Sequence, residues 1–372
     1  MEWVYTEPVK LIFGSHKINS LFEILCDQGL RNGILVSDPI FIENGLAKKV
    51  QEYSKGLIID IFSDITPNPT VDSVDSCAKS IRDKNIEFVV ALGGGSSLDC
   101  AKAAASVCIT KDSIVDYHSG LKKFTEKHLP LIAIPTTAGT GSEVTPVAVL
   151  SNPHKGLKAP LVCNNFFPDL AIIDPSLTLT VPKSITASTG MDVLSHALEG
   201  FWSKNHQPIC DAMALHAAEL VFDNLLKVYH DGSNLEAREK MCEASVMAGL
   251  AFGLPKTAGS HACSFPLTNL YHIPHGEACA FTMDAFTLIN SDAEGGRLQT
   301  FSKKLGFKDA SAMAEKIKAM KKEMGLKITL EDAGIKEADL DELSSLSQHP
   351  NMLNNPVKMD VASTKRMYLT LK

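Results

Sequence analysis

The nine cysteines do not form a framework. Cys26, Cys77, Cys100, Cys108, Cys163, Cys210, Cys242, Cys263 and Cys279 are odd in number, scattered, and never spaced C-x-x-C. That excludes a disulfide scaffold and a zinc ribbon, and fits the reduced thiols of a cytoplasmic protein. A basic excess is also missing: 36 Lys and Arg stand against 43 Asp and Glu, for a formal charge of -7. Nucleic acid is therefore not an expected partner. No uninterrupted apolar run approaches the ~18 residues of a membrane span. The first residues, Met1 to Pro8, lack the basic and apolar regions of a signal peptide. No internal repeat or low-complexity segment interrupts the chain, and its composition points to neither disorder, collagen nor coiled coil.

What is present is a chain of 372 residues, too long for one comfortable core and long enough for two domains. Short continuous apolar runs recur at 33–38, 57–62, 88–92, 131–134 and 170–173. Continuous rather than alternating runs suit strands covered on both faces. Val71, Val74, Ala78 and Ile81 between them keep helical spacing, so the pattern is βαβ and the sheet parallel. From about residue 183 helical patterns take over, at 211–229, 235–251, 277–289 and 310–324. The expected division is an α/β dinucleotide-binding domain over 1–180 and an all-α metal-binding and substrate domain over 181–372.

Three stretches carry chemistry. Gly93-Gly94-Gly95-Ser96 leaves a strand and enters a helix, where a bare backbone and unpaired N–H groups suit a pyrophosphate; such a turn alone is often only a tight turn. Asp38, at the end of the first clear strand, sits where a carboxylate can hold the ribose hydroxyls and repel a 2′-phosphate, favouring NAD over NADP, though a loop aspartate occurs there as readily. The hydroxyl-rich segment from Pro135 to Thr145 follows another strand. Third, Asp192 and His196 are four apart on a helical pattern and share a face. With two later histidines, His261 and His275, they make an N3O donor set suited to zinc or ferrous iron, with manganese also admitted.

Taken together, Gly93 to Ser96 with Asp99 and Lys102, the Pro135 to Thr145 loop, Gly190-x-Asp192-x-x-x-His196-Ala197-x-Glu199, and His261 with Pro274-His275-Gly276 resemble the iron-containing (group III) metal-dependent alcohol dehydrogenases. The resemblance runs over essentially the whole chain. It implies a Rossmann-like α/β domain plus an all-helical domain, the dehydroquinate synthase-like architecture, with metal and cofactor in the cleft between the two, and a homodimer. It implies metal ligation by Asp192, His196, His261 and His275. It also implies NAD contacts by Asp38, Asn68, Gly94, Gly95, Ser96, Asp99, Thr136, Thr137, Thr140, Ser142 and Lys158. Val147, Phe252 and Phe265 match substrate-facing positions.

One position departs from the family pattern. Many relatives carry a histidine four residues after the third ligand, proposed to relay protons, and here that position is Phe265. His272 is a conceivable substitute, and an exposed loop histidine is its plainer reading. The string from Ser264 to Thr268, continuing to Gly276, is similar to phosphonoacetaldehyde and sulfoacetaldehyde reductases, which act on short acidic aldehydes. A general short-chain alcohol or butanol dehydrogenase is the alternative. A dehydroquinate synthase-like lyase or polyol-phosphate dehydrogenase should place Lys and Arg near the metal, and residues 259–276 contain none.

Overall fold

The computed structural model describes residues 2–124 and 127–372. The chain divides into two compact units, each with its own core. One comprises Thr6–Thr137 and Gly141–Thr178; the other comprises Leu179–Lys372 with Ala138–Thr140 and the N-terminal stretch ending at Tyr5.

The first unit is built on eight strands: β1 (Lys10–Phe13), β2 (Gly33–Ser37), β3 (Ile58–Phe62), β4 (Phe88–Gly93), β5 (Leu131–Pro135), β6 (Val147–Asn152), β7 (Leu157–Val162) and β8 (Leu170–Ile173). Six form one sheet in the order β1-β8-β5-β4-β2-β3, every pair parallel. The inner strands β2, β4, β5 and β8 are buried at every residue, as their unbroken apolar runs require when both faces are covered. The five strands expected from those runs are all here. Edge strand β1 was not anticipated, because its short run is largely exposed. Nor was the antiparallel hairpin of β6 and β7, in which β6 alternates half-buried and buried residues while β7 has none buried, and which turns at Pro153–Gly156 with Gly156 at φ 59°.

Strand order reverses between β2 and β4, since β3 lies beyond one and β5 beyond the other. Ligands of open α/β sheets collect at the carboxyl ends of strands at such a switch point. The Val71–Asp83 helix packs beside the Gly95–Val107 helix and buries the predicted Val71, Val74, Ala78 and Ile81, and its N-cap Thr70 accepts the Ser73 N–H at 3.1 Å. The Gly95–Val107 helix starts directly after β4 and is buried from Ser97 onward.

The second unit is helical, and the Lys183–Trp202 helix runs through its core. From Met191 to Trp202 every residue of that helix is buried, and a helix covered all round belongs at the centre of a bundle. Pro208–His230, Leu235–Gly253, Gly259–Tyr271 and His275–Ile289 pack with it in one cluster, joined by Ala310–Glu323 and the C-terminal Val361–Leu369. Among the described residues no helix is long and apolar enough to cross a membrane.

Close approach of two helices decides where His275 sits. A Cβ on Gly276 would stand 2.1 Å from the Ser188 carbonyl oxygen and 2.9 Å from Asp192 Cβ. Backbone cannot yield as a side chain would, so Gly276→Ala should lower stability by about 1–3 kcal/mol. Denaturant unfolding midpoints check this; an unchanged midpoint would mean the two helices separate without cost.

Candidate functional site

Asp192, His196 and Glu199 occupy one face of the Lys183–Trp202 helix, at spacings of four and three. His261 lies in the first turn of Gly259–Tyr271, and His275 begins His275–Ile289. The fold brings all four expected donors together. His261 Nε2 is 3.1 Å from His196 Nε2 and 3.6 Å from Asp192 Oδ1, which is 3.9 Å from His196 Nε2. The His261 and His275 rings stand edge to face with centroids 5.4 Å apart. Asp192, His196 and His261 are buried and His275 half-buried.

Glu199 organises this group. Its carboxylate, fully buried, accepts the Ser260 N–H at 2.6 Å, the His261 N–H at 3.2 Å and His261 Nδ1–H at 2.5 Å. The first two bonds satisfy orphan donors at a helix N-terminus. The third fixes the His261 tautomer, leaving Nε2 with its lone pair directed at Asp192 and His196. His196 is held well below the usual imidazole range by burial and by its His261 and His275 neighbours, so it is a neutral base, whereas His261, against the effect of its burial, is drawn well above that range by Cys279 and Glu199. Burial lifts Asp192 to about 6, and its Oδ1 has no hydrogen-bond partner. Converging imidazole lone pairs beside an orphaned buried carboxylate oxygen fit a divalent cation with nitrogen and oxygen ligands.

Aromatic rings line the same group. Phe252 stacks on His196 at 4.1 Å and 11°. Phe265 lies 6.5 Å from His275 and 4.3 Å from the ring of His349. His349 accepts the Asn351 N–H at Nδ1, 3.2 Å, and burial followed by His261 lowers its pKa. His272 is exposed and holds a left-handed conformation, φ 54°, as the C-cap of Gly259–Tyr271. There it turns the chain out of the helix.

In the α/β unit a second cluster gathers around the switch point. Asp38 follows β2 and is half-buried; burial raises its pKa, against the opposing effect of the nearby Ser97 side chain and Gly94 backbone. Gly93, at φ 152°, could not carry a side chain, because a Cβ would meet Asp38 Oδ2 at 2.4 Å. Gly94 caps the Gly95–Val107 helix, with the Thr137 hydroxyl 3.6 Å from where a Cβ would stand. The Asn68 N–H donates to Ser96 Oγ at 3.2 Å, and Asn68 Oδ1 accepts from Lys158 Nζ at 2.7 Å. Thr136 extends β5 and donates its N–H to the Gly93 carbonyl. Gly94, Gly95, Ser96, Asn68, Lys158, Thr136 and Thr137 thus surround the glycine turn, with Asp38 beneath it.

The Ser142 hydroxyl donates to Asp99 Oδ1 at 2.8 Å and accepts from Lys102 Nζ at 2.7 Å. Lys102 also donates to the carbonyls of Thr145 and Val147, at 3.0 and 2.9 Å, and Asp99 Oδ2 accepts the Val149 N–H. Burial brings the Lys102 ammonium down to about 8. Asp99, Lys102, Ser142 and the backbone of Val147 therefore frame the loop from within. Thr140 is grouped with the helical unit.

The role of Glu199 was open to sequence reasoning through its spacing from Asp192 and His196. His349 and Cys279 gave no such signal.

Residues 8–175 match the family described as iron-containing alcohol dehydrogenase, and residues 186–371 the C-terminal part of the Fe-containing alcohol dehydrogenase family. The structure is similar to that of sulfoacetaldehyde reductase from Bifidobacterium kashiwanohense in complex with NAD+, with TM-score 0.98 and 53% identity over 100% of this chain and 99% of that one. Alcohol dehydrogenase 4 of Saccharomyces cerevisiae is 32% identical over 98% of both chains. The 1,3-propanediol dehydrogenase of Klebsiella pneumoniae is 32% identical over 95% of both.

Glu199→Gln removes the acceptor that holds the His261 tautomer. Affinity for a divalent cation should fall roughly 10–100-fold, measured as zinc retained on dialysis against a chelator. Retention equal to wild type would leave Glu199 as a helix cap only.

Proposed function

The chain belongs to the iron-containing alcohol dehydrogenase family, and from that premise we propose that it reduces a short aldehyde bearing a strong acid group, sulfoacetaldehyde foremost, with NADH. It is an NAD-linked, metal-dependent alcohol/aldehyde oxidoreductase by class. The observation that carries the finer reading is the full-length similarity, at 53% identity, to a sulfoacetaldehyde reductase. The same reading takes the protein as a cytoplasmic homodimer. The nine cysteines form no disulfide among the described residues, which agrees with a reducing compartment.

In this reading Asp192, His196, His261 and His275 hold the divalent ion. A bound ion supplies Lewis acidity to the oxygen of the carbonyl or alcohol. The rest falls to the chain. Glu199 holds Nδ1–H of His261, which aims Nε2 inward and makes it a stronger base for a cation, and Phe252 packs flat on His196 and restricts its ring. The Phe252 and Phe265 rings give an apolar lining that keeps water from the reacting carbon. Phe265 exchanges no proton, so proton delivery does not pass through the position where many relatives carry histidine.

At the α/β unit the bare backbone of Gly94 and Gly95 admits the pyrophosphate at a helix N-terminus, flanked by Ser96, Thr136 and Thr137. Lys158, oriented by Asn68, adds a cation for the anionic cofactor. Asp38 binds the adenosine ribose and disfavours a 2′-phosphate.

Loss of NADH absorbance with sulfoacetaldehyde, phosphonoacetaldehyde, acetaldehyde and butyraldehyde tests the proposal. The expected result is kcat/KM for an acidic aldehyde at least about tenfold above butyraldehyde, a difference of ~1.4 kcal/mol in transition-state binding, with NADH preferred over NADPH. Equal rates on butyraldehyde would reduce the function to general short-chain alcohol chemistry. A preference for NADPH would remove the role given to Asp38.

A further inference from the structure

The donors around Asp192 do not end with the four side chains named above. Cys279 lies one turn after His275 on the His275–Ile289 helix and is fully buried. Its Sγ is 3.8 Å from His275 Nε2. Asp192, His261, His275 and Cys279 each present a donor atom within 4.8 Å of the others. The sulfur also interacts with the Asp192 and His261 side chains and with the Ser264 hydroxyl.

These are not the surroundings of a core thiol. A buried cysteine ordinarily behaves as a small hydrophobe, as Cys77 does beside Cys100. Cys279 instead faces a carboxylate and two imidazoles. A nitrogen and a sulfur bound to one zinc, at ~2.0 and ~2.3 Å, stand roughly 3.5 Å apart at a tetrahedral angle, near the separation from His275. Independently, the partnerless Asp192 Oδ1 marks the spot as one that needs a cation.

We propose that Cys279 Sγ is a direct ligand of the ion at this centre. This rests on the metal-centre reading of the preceding subsection and extends it. The donor group that includes the sulfur is Asp192, His261, His275 and Cys279, an N2OS set, and thiolate is a soft ligand that favours zinc over harder ions. The chain therefore retains zinc or cobalt in preference to iron, whatever its family is called.

Metal affinity alone does not test this, because losing a neighbouring hydrogen-bond partner also weakens binding 10–100-fold or so. Spectroscopy does. The full-length protein loaded with Co²⁺ should show a sulfur-to-cobalt charge-transfer band in the near ultraviolet beside the visible d–d bands. In Cys279→Ser the charge-transfer band should vanish while the d–d bands persist, and Cys263→Ser should change neither. In competition, the zinc-over-iron preference should shrink about tenfold in Cys279→Ser. Wild-type protein showing d–d bands without charge transfer overturns the assignment and leaves the metal centre standing. Absence of both bands overturns the metal centre itself. Should the variant not fold, X-ray absorption of the zinc-loaded wild type decides: one sulfur among the nearest neighbours supports the proposal, and nitrogen and oxygen alone refute it.

Discussion

A carboxylate shut inside a helical core has to be offset by positive charge or by hydrogen bonds, because stripping it of water costs several kcal/mol. Asp192 is that carboxylate in the helical unit, with one oxygen unpartnered. Its neighbours are three imidazoles, of which one is held deprotonated by burial and another has its tautomer set by Glu199. His261 is drawn toward its charged form by Glu199 and Cys279, but an imidazole, unlike a lysine or arginine, gives up that proton to a metal ion. The arrangement is therefore completed from outside the polypeptide, and the helices around it are positioned accordingly. Gly276 lets one of them approach the backbone at Ser188, and the first turns of two others carry His261 and His275 inward.

The α/β unit solves a comparable problem differently. Lys102 is a buried ammonium with three oxygen acceptors, beside the buried Asp99. The charge is internal and the polar groups are satisfied within the unit. This network fastens the loop leading into the β6–β7 hairpin to the helix that begins at the glycine turn. A nucleotide entering at the ends of β2 and β4 would thus meet a loop already held in place, which lowers the entropy cost of ordering it on binding.

Much of this was legible in the residues, for identifiable reasons. Strands buried on both faces announce themselves as unbroken apolar runs, and so β2, β4, β5 and β8 could be read directly. Lys10–Phe13 could not, being a short edge segment whose stability comes from pairing with β8. The hairpin at 147–162 contains Lys158 and Pro160, which interrupt any strand pattern. Asp192 and His196 share a helix, so periodicity joined them, and Glu199 belongs to the same period. By contrast, Cys279 looked like one thiol among nine, and His349 is 84 residues from the phenylalanine it covers. Such contacts are made by tertiary folding alone, and local spacing holds no trace of them. The hydroxyls of the Pro135 to Thr145 loop show the converse limit: composition marked the loop, but could not say that Ser142 turns its proton inward.

Glu199 joins two tasks that are usually separate, since one carboxylate both closes the start of a helix and steers a metal-binding nitrogen. Occupancy of the centre and integrity of the fold are then thermodynamically linked, because whatever binds only the native state stabilises it. A cell short of the right ion would hold more of this protein in partly opened forms, which proteases remove. Enzyme abundance would thereby follow metal supply without any change in gene expression.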